Sequence, residues 1–231
     1  MVDFPFDVVA FDLDGTLADT APDLAAALNL VLAGFGRPPI PVDDVRHLVG
    51  HGARSLVRKG LAVTGDAPEA LVDEGFERYL EHYAASLCVG TTVYPGLEPA
   101  LDALAARGAR LAICTNKGEA LSRRLVEALG WTGRFDSIVG PDTVGARKPD
   151  PRPLVEAIAR AGGGRAVLIG DSIIDAETAR AAQVPFIAVG FGFSDRPVDQ
   201  LGADAVIHRY ADLVPTLEQL QFTAKNKGLA G

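Results

Sequence analysis

Six short apolar runs alternate with segments of helical spacing over most of the chain. Each run ends abruptly in polar or small residues, which is typical of strands covered on both faces; the runs are 8–11, 111–114, 137–139, 167–169, 186–189 and 205–207. Leucines and alanines recur at helical spacing near 97–104, 121–129, 154–161, 175–183 and 213–220. Strands that alternate with helices predict an α/β protein with a doubly wound parallel sheet.

The alternation stops between residues 18 and 91, where the pattern is helical throughout. Helices are expected from about residue 19, near 43–49, at 53–60 and over 68–87. We therefore predict a core formed by 1–17 and 92–231, with 18–91 inserted as an all-helical cap domain. The last residues, 224–231, are predicted to form a disordered tail.

Composition narrows the possible partners. Of the 231 residues, 48% are hydrophobic, which is enough for a substantial core, and the net charge is −8. Because nucleic-acid binders usually present a basic surface, this balance argues against one. Only two cysteines occur, and neither a signal peptide nor a run of membrane-spanning length is present, so we expect a soluble cytoplasmic protein.

Polar clusters follow four of the predicted strands. They are Asp12-Leu13-Asp14-Gly15-Thr16, Thr115-Asn116-Lys117, Arg147-Lys148-Pro149 and Gly170-Asp171-Ser172, with Asp175 four residues beyond Asp171. In open parallel sheets, ligands bind beyond the carboxyl ends of the strands, so these clusters are expected to converge. This convergence is the main functional signal in the sequence.

Crowded carboxylates at one edge of a sheet indicate a bound cation. Asp12 and Asp14, with Asp171 and Asp175 nearby, would repel one another unless their pKa values rose or a cation neutralised them. Hard oxygen ligands without His or Cys favour Mg²⁺ over Zn²⁺, and Mg²⁺ commonly completes its shell with water and substrate phosphate. The acidic cluster can therefore bind a phosphate ester.

The same clusters supply the groups that phosphoryl transfer needs. Asp12 leaves the first strand first and is the candidate nucleophile, while Asp14 would protonate the leaving alkoxide and then activate water. Lys148 is the expected counter-cation. Thr115 and Asn116 offer a hydroxyl, an amide and backbone N–H donors to phosphate oxygens, and Gly15-Thr16 allows a tight turn whose N–H groups face the phosphate.

In this order the four clusters resemble the four motifs of the haloacid dehalogenase superfamily, over nearly the whole chain. The resemblance implies a Rossmann-like core, a helical cap between the first two motifs, an aspartate nucleophile and Mg²⁺. It places the metal on Asp12, the backbone carbonyl of Asp14, and Asp171. Asp175 is expected to support the site, although it could instead be a first-turn acid that favours the helix dipole.

Within the superfamily the chain resembles the bacterial phosphoglycolate phosphatases. The stretches that suggest this are 14–24, Val49-Gly50-His51-Gly52-Ala53 and Thr115-Asn116-Lys117. The resemblance implies hydrolysis of 2-phosphoglycolate to glycolate and phosphate. Sugar phosphatases and pyrophosphatases share parts of these stretches, so another small phosphate ester remains an alternative substrate. We expect a monomer or a homodimer.

The predicted cap contains a basic stretch without an acidic residue. From Val45 through Gly65 the charged side chains are cationic; they include Arg46, His47, Arg54, Arg58 and Lys59. One interpretation is a solvated basic helix face. The other is that Gly50-His51-Gly52 forms a loop over the site that binds the second anionic group of the substrate.

The same residues bear on four alternative functions. A dehalogenase would carry Tyr in place of Asp14 by the family pattern, and a phosphonatase would need a cap lysine where this chain has His51, Ala53 and Arg54. A phosphosugar mutase keeps all four motifs and stays open. A receiver-like phospho-switch module, which is not an enzyme, would lack the long cap.

Overall fold

All six predicted strands occur in one sheet. The structure is a computed structural model that describes residues 4–194 and 196–227. In chain order its elements are β1 (Val8–Phe11), β2 (Ala18–Asp19), α1 (Ala21–Gly34), α2 (Val42–Arg46), α3 (Ala53–Thr64), α4 (Glu69–Ala85), β3 (Thr92–Val93), α5 (Leu97–Ala105), β4 (Arg110–Cys114), α6 (Glu119–Ala128), β5 (Ser137–Val139), α7 (Pro141–Val144), α8 (Arg152–Arg160), β6 (Ala166–Gly170), α9 (Ile173–Ala182), β7 (Phe186–Val189), β8 (Ala205–Ile207) and α10 (Leu213–Lys227).

The sheet is parallel, with strand order β5-β4-β1-β6-β7-β8. Among the six core strands this is the 3-2-1-4-5-6 order of a Rossmann-like doubly wound fold, so the predicted fold class is confirmed. The order reverses between β1 and β6, and a crevice opens there at the carboxyl ends of the strands. Val8–Phe11 is completely buried because helices cover both faces of the sheet.

Helices α1 to α4 pack together and continue the core beyond one face of the sheet. Helix α4 packs along α1 and α3, and α2 lies against α1. Leu28, Val57 and Tyr79 are fully buried in the cluster that also contains sheet residues. Gly75 on α4 allows this packing, since a Cβ there would lie 2.9 Å from Cγ1 of Val57.

The prediction that 18–91 is helical throughout needs one correction. Ala18–Asp19 and Thr92–Val93 pair as a short antiparallel ribbon where the chain leaves the core and returns to it. Two-residue strands are too short to produce a hydrophobic period, so the sequence pattern could not reveal them. The four-residue helix α7 was missed for the same reason.

The structure describes the first part of the predicted tail. The backbone of 224–227 continues α10. The disorder of the tail stays a prediction. Residues 228–231 lie outside the described part of the chain. Within the described residues, no helix combines the length and the apolar character required to cross a bilayer.

Asp23 fastens the segment that precedes β3. Its buried carboxylate accepts hydrogen bonds from the backbone N–H groups of Val89, Gly90 and Thr91 at 3.1, 2.8 and 2.8 Å, and from the Thr91 hydroxyl. One side chain on α1 therefore holds the return crossing to the core.

We expect Asp23→Ala to lower the free energy of unfolding by about 1–3 kcal/mol, because three partly buried N–H donors lose their acceptor. Urea denaturation measures the change. Asp199→Ala, which alters an acid outside this contact, is the control. A loss no larger than that of the control would contradict this account of the crossing.

Candidate active site

Asp12 lies at the point where the strand order of the sheet reverses. It follows Phe11, whose register partners are Ile113 on β4 and Ile169 on β6, and its own N–H donates to the carbonyl of Ile169 at 2.9 Å. The Asp12 side chain is buried, and its Oδ1 accepts a hydrogen bond from the N–H of Leu13 at 2.7 Å. The strand thus fixes the carboxylate at the bottom of the crevice.

Lys148 is buried between two carboxylates. Its Nζ lies 3.0 Å from Oδ1 of Asp12 and 2.6 Å from Oδ1 of Asp175. Asp175 also accepts from the N–H and hydroxyl of Ser172, so both of its oxygens are engaged. Of the two interpretations of Asp175, the structure therefore favours support of the site, because the side chain orients Lys148 as well as capping α9.

Asp171 is held from two sides. Its Oδ1 accepts from the Thr16 hydroxyl at 2.9 Å, and its Oδ2 accepts from the N–H of Phe193 at 2.7 Å. Gly15 and Gly192 pack so closely on Asp171 that neither position has room for a Cβ. The strand and helix pattern did not predict this contact; the glycines were its only signal in the sequence.

The acidic residues of the site crowd one another. Ligand oxygens of Asp12, Asp171 and Asp175 lie within 4.8 Å of one another. Burial, assisted by the charges of Asp175 and Asp14, raises the pKa of Asp12 to about 6 in spite of Lys148. Burial and the charges of Asp175 and Asp12 raise the pKa of Asp171 well above its usual value. Burial disfavours the Lys148 cation, but Asp12 and Asp175 outweigh it and raise the pKa of Lys148.

The donor set fits a small hard cation. Two carboxylates with raised pKa values, Asp12 and Asp171, face the same cavity, whereas Asp175 is engaged by Lys148 and Ser172. The cluster contains oxygen ligands and neither His nor Cys. Such a set suits Mg²⁺ better than Zn²⁺. Asp12 and Asp171, two members of the ligand set that the resemblance implies, are both in this cluster.

Asp14 lies at the cavity, two residues beyond Asp12. Its Oδ1 accepts from the Thr20 hydroxyl at 2.6 Å and forms an ion pair with Nζ of Lys117. Lys117 also donates to the hydroxyl of Tyr83 on α4 at 2.7 Å. The sequence pattern indicates no role for Lys117, because the partners of Lys117 come from distant parts of the chain.

The two residues predicted to bind phosphate differ in what they can offer. Thr115 is buried at the cavity and its hydroxyl accepts from the N–H of Lys117, so its own hydrogen can be donated. The Asn116 amide instead donates to the carbonyls of Gly50 and Lys148 and accepts from the N–H of Lys148. Both sides of that amide are therefore engaged within the chain, and the side chain joins the 50–52 loop to the core. That Asn116 contributes to phosphate binding stays a prediction.

The loop formed by Gly50, His51 and Gly52 lines the cavity opposite the strand ends. Gly50 and Gly52 have φ values of 108° and 85°, which a residue with a Cβ rarely adopts. Arg46 and Arg54, by contrast, form ion pairs within the chain: Arg46 binds both oxygens of Asp19, and Arg54 binds Glu69 and Asp73. Lys59 lies 3.5 Å from Nδ1 of His51.

Asp12, Asp14, Thr115 and Asp171 line one cavity of about 410 Å³ together with the loop 50–52. Its walls come from the strand ends, from the 50–54 segment and from α4, including Phe76 and Leu80. The volume is in the range of small-molecule sites. A small ligand bound at Asp12 would therefore contact both the sheet edge and the helical insertion.

Comparisons with known proteins agree with this geometry. A family model described as haloacid dehalogenase-like hydrolase matches residues 6–183. A phosphoglycolate phosphatase of Caulobacter vibrioides is 46% identical over 212 residues, which cover 89% of this chain and 88% of the relative. Another from Agrobacterium fabrum is 45% identical over 210 residues and 90% of each chain. A solved structure from Haemophilus somnus, described as a predicted phosphoglycolate phosphatase, has a TM-score of 0.85 at 26% identity and covers 91% of this chain and 97% of its own.

We expect Asp171→Asn to stabilise the protein in chelator at pH 7. A carboxyl group whose pKa is raised in the folded state contributes its full stabilisation below its pKa in the unfolded chain, about 4. That contribution is lost as the pH rises through the pKa of the folded state. Removing this charge should raise the free energy of unfolding by about 1 kcal/mol or more at pH 7 and leave it little changed near pH 4. Asparagine can keep both hydrogen bonds, since the Thr16 hydroxyl can also accept.

Thermal unfolding with chelator and with Mg²⁺ tests this expectation. Mg²⁺ should raise the Tm of the parent protein and raise that of Asp171→Asn much less. Asp142→Asn, which changes an exposed acid at the cavity rim, is the matched control. If Asp171→Asn is less stable than the parent in chelator at pH 7, the crowding described above does not dominate.

Proposed function

Because the chain belongs to the haloacid dehalogenase-like hydrolase family, we propose that it is a Mg²⁺-dependent phosphomonoesterase that acts through an aspartyl-phosphate on Asp12. The single observation that best supports this chemistry is the buried Asp12 carboxylate, which lines the cavity while Lys148 holds its Oδ1. We propose 2-phosphoglycolate as the substrate. The curated relatives at 37–46% identity that bear the name phosphoglycolate phosphatase support this choice.

The residues of the site divide the reaction between them. An oxygen of Asp12 attacks phosphorus, and Asp14 gives a proton to the leaving oxygen as the P–O bond breaks. Asp14 then takes a proton from the water that hydrolyses the aspartyl-phosphate. Lys148 holds Asp12 in place and balances charge on the phosphoryl oxygens, to which Thr115 donates its hydroxyl.

Mg²⁺ would be held by Asp12, the Asp14 carbonyl and Asp171, and when bound it would neutralise phosphate charge. Thr16 and Asp175 are supporting residues, which orient other side chains of the site without touching the substrate. Asp171 is kept in place by Thr16, and Lys148 is kept in place by Asp175.

We further propose that 18–91 is a substrate-selecting cap over the core formed by 1–17 and 92–231. Residues of α1, α3 and α4 and the loop 50–52 line the same cavity as Asp12. The carboxylate of a small substrate would lie against the loop of Gly50, His51 and Gly52. Since Arg46 and Arg54 are paired within the chain, backbone N–H groups of this loop are the donors that we assign to it.

Phosphate release from a panel of esters tests the proposal. With Mg²⁺ we expect a preference for 2-phosphoglycolate over sugar phosphates, pyrophosphate and nucleotides. Asp12→Asn should lower kcat by at least about 10³-fold, because the nucleophile is lost. Chelator should abolish release, and intact-mass spectrometry should detect an added phosphoryl group on quenched parent enzyme and none on Asp12→Asn.

The outcomes separate the chemistry from the substrate. Preference for another ester, with the same dependence on Mg²⁺ and Asp12, would keep the mechanism and discard 2-phosphoglycolate. Transfer of the phosphoryl group to a second sugar rather than to water would indicate a mutase. Release that survives Asp12→Asn, with deamidation excluded by mass, would contradict the covalent mechanism. Asp136→Asn, distant from the cavity, controls for preparation effects.

A further inference from the structure

The partners of Asp14 distinguish its two carboxylate oxygens. Oδ1 accepts from the Thr20 hydroxyl and is ion-paired with Lys117, whereas Oδ2 has no hydrogen-bond partner among the described residues. A carboxyl oxygen that already accepts two donors is a poor place for the acid proton. The proton that a general acid delivers should therefore be carried on Oδ2, in a side chain that lines the cavity.

The Lys117 ammonium is itself held by the helical insertion. It lies in a buried position after β4, and besides Asp14 it donates to the hydroxyl of Tyr83. Tyr83 is on α4, and its ring stacks on that of Tyr79 with centroids 5.9 Å apart. A fixed ring with one hydroxyl thus defines where the ammonium can sit.

These contacts form a chain from the cap to the acid. We propose that Lys117 and Tyr83 are positioning residues for Asp14: through the Tyr83 hydroxyl, α4 holds the Lys117 ammonium against Oδ1, so that Oδ2 is presented to the leaving oxygen. The inference rests on the proposed role of Asp14 as general acid. It adds that proton delivery depends on the place of α4 over the core, which links substrate enclosure to the acid step.

The consequence is a dependence on the leaving group. In the acid step the proton passes from Oδ2 to the ester oxygen while its bond to phosphorus breaks and the bond from Asp12 to phosphorus forms. An alkyl ester such as 2-phosphoglycolate needs that proton, whereas p-nitrophenyl phosphate releases a stable phenolate without it. Loss of acid positioning should therefore affect the alkyl ester selectively.

The test compares kcat/KM for these two esters in the holoenzyme with Mg²⁺, because kcat/KM reports the steps through leaving-group departure and excludes hydrolysis of the intermediate. Tyr83→Phe should lower kcat/KM for 2-phosphoglycolate about tenfold, the factor equivalent to one ordinary hydrogen bond, and for p-nitrophenyl phosphate less than about twofold. Lys117→Met should also lower kcat/KM for 2-phosphoglycolate more than that for p-nitrophenyl phosphate. Lys117→Arg keeps the positive charge and should therefore recover part of the activity on 2-phosphoglycolate that Lys117→Met loses.

Tyr79→Phe is the matched control, since it removes the same atom from the stacked ring one turn earlier on α4, and Tyr79 has no hydrogen bond among the described contacts. Its effect should be equal for both esters. Thermal melting establishes that each variant is folded. An equal loss on both esters in Tyr83→Phe and Lys117→Met, or the same selectivity in Tyr79→Phe, would overturn the inference.

Asp14→Asn separates this inference from the proposed function. It should show the leaving-group dependence in its strongest form. If it does and Tyr83→Phe does not, the positioning role fails while the general-acid role stands. If Asp14→Asn slows both esters equally, the general-acid role fails, and the positioning role fails with it.

Discussion

The site depends on one buried cation between two buried carboxylates. Without Lys148, Asp12 and Asp175 would be like charges in a low-dielectric crevice, and the carboxylates could not both stay ionised there. The contact sets several features at once. It fixes the orientation of Asp12. It also engages Asp175, so that Asp171, rather than Asp175, faces the cavity together with Asp12. The Asn116 amide in turn holds the backbone of Lys148.

The remaining architecture places these groups and then encloses them. The reversal of strand order between β1 and β6 brings Asp12 beside Asp171, and the loop after β7 secures Asp171 from the far side. Residues of α1, α3, α4 and the 50–52 loop line the cavity. The polar contacts of the inserted segment with the core include Asn116 to Gly50 and Lys117 to Tyr83. Both contacts follow the same strand, β4, so one short segment connects the insertion to the chemistry.

The family assignment and the electrostatics support each other. The region matched by the family model, 6–183, contains all four polar clusters. The alignments with relatives named phosphoglycolate phosphatase cover about nine-tenths of the chain. An acidic protein that handles an anionic ester needs positive charge at its site. Lys148 supplies one such charge, and the raised pKa values of Asp12 and Asp171 reflect burial and mutual repulsion that a bound cation would relieve.

The sequence by itself determined the local periods and the residues at strand ends. Six apolar runs predicted the strands, because a strand covered on both faces is apolar throughout, as in β1 and β6. Asp12 and Asp171 followed from their places at strand ends, whereas Lys148 lies beyond α7. Only the tertiary structure decided which side chains meet. The ribbon of β2 and β3, the contact of Phe193 with Asp171 and the bridge from Tyr83 through Lys117 to Asp14 join segments far apart in the chain, and no periodic pattern encodes such meetings.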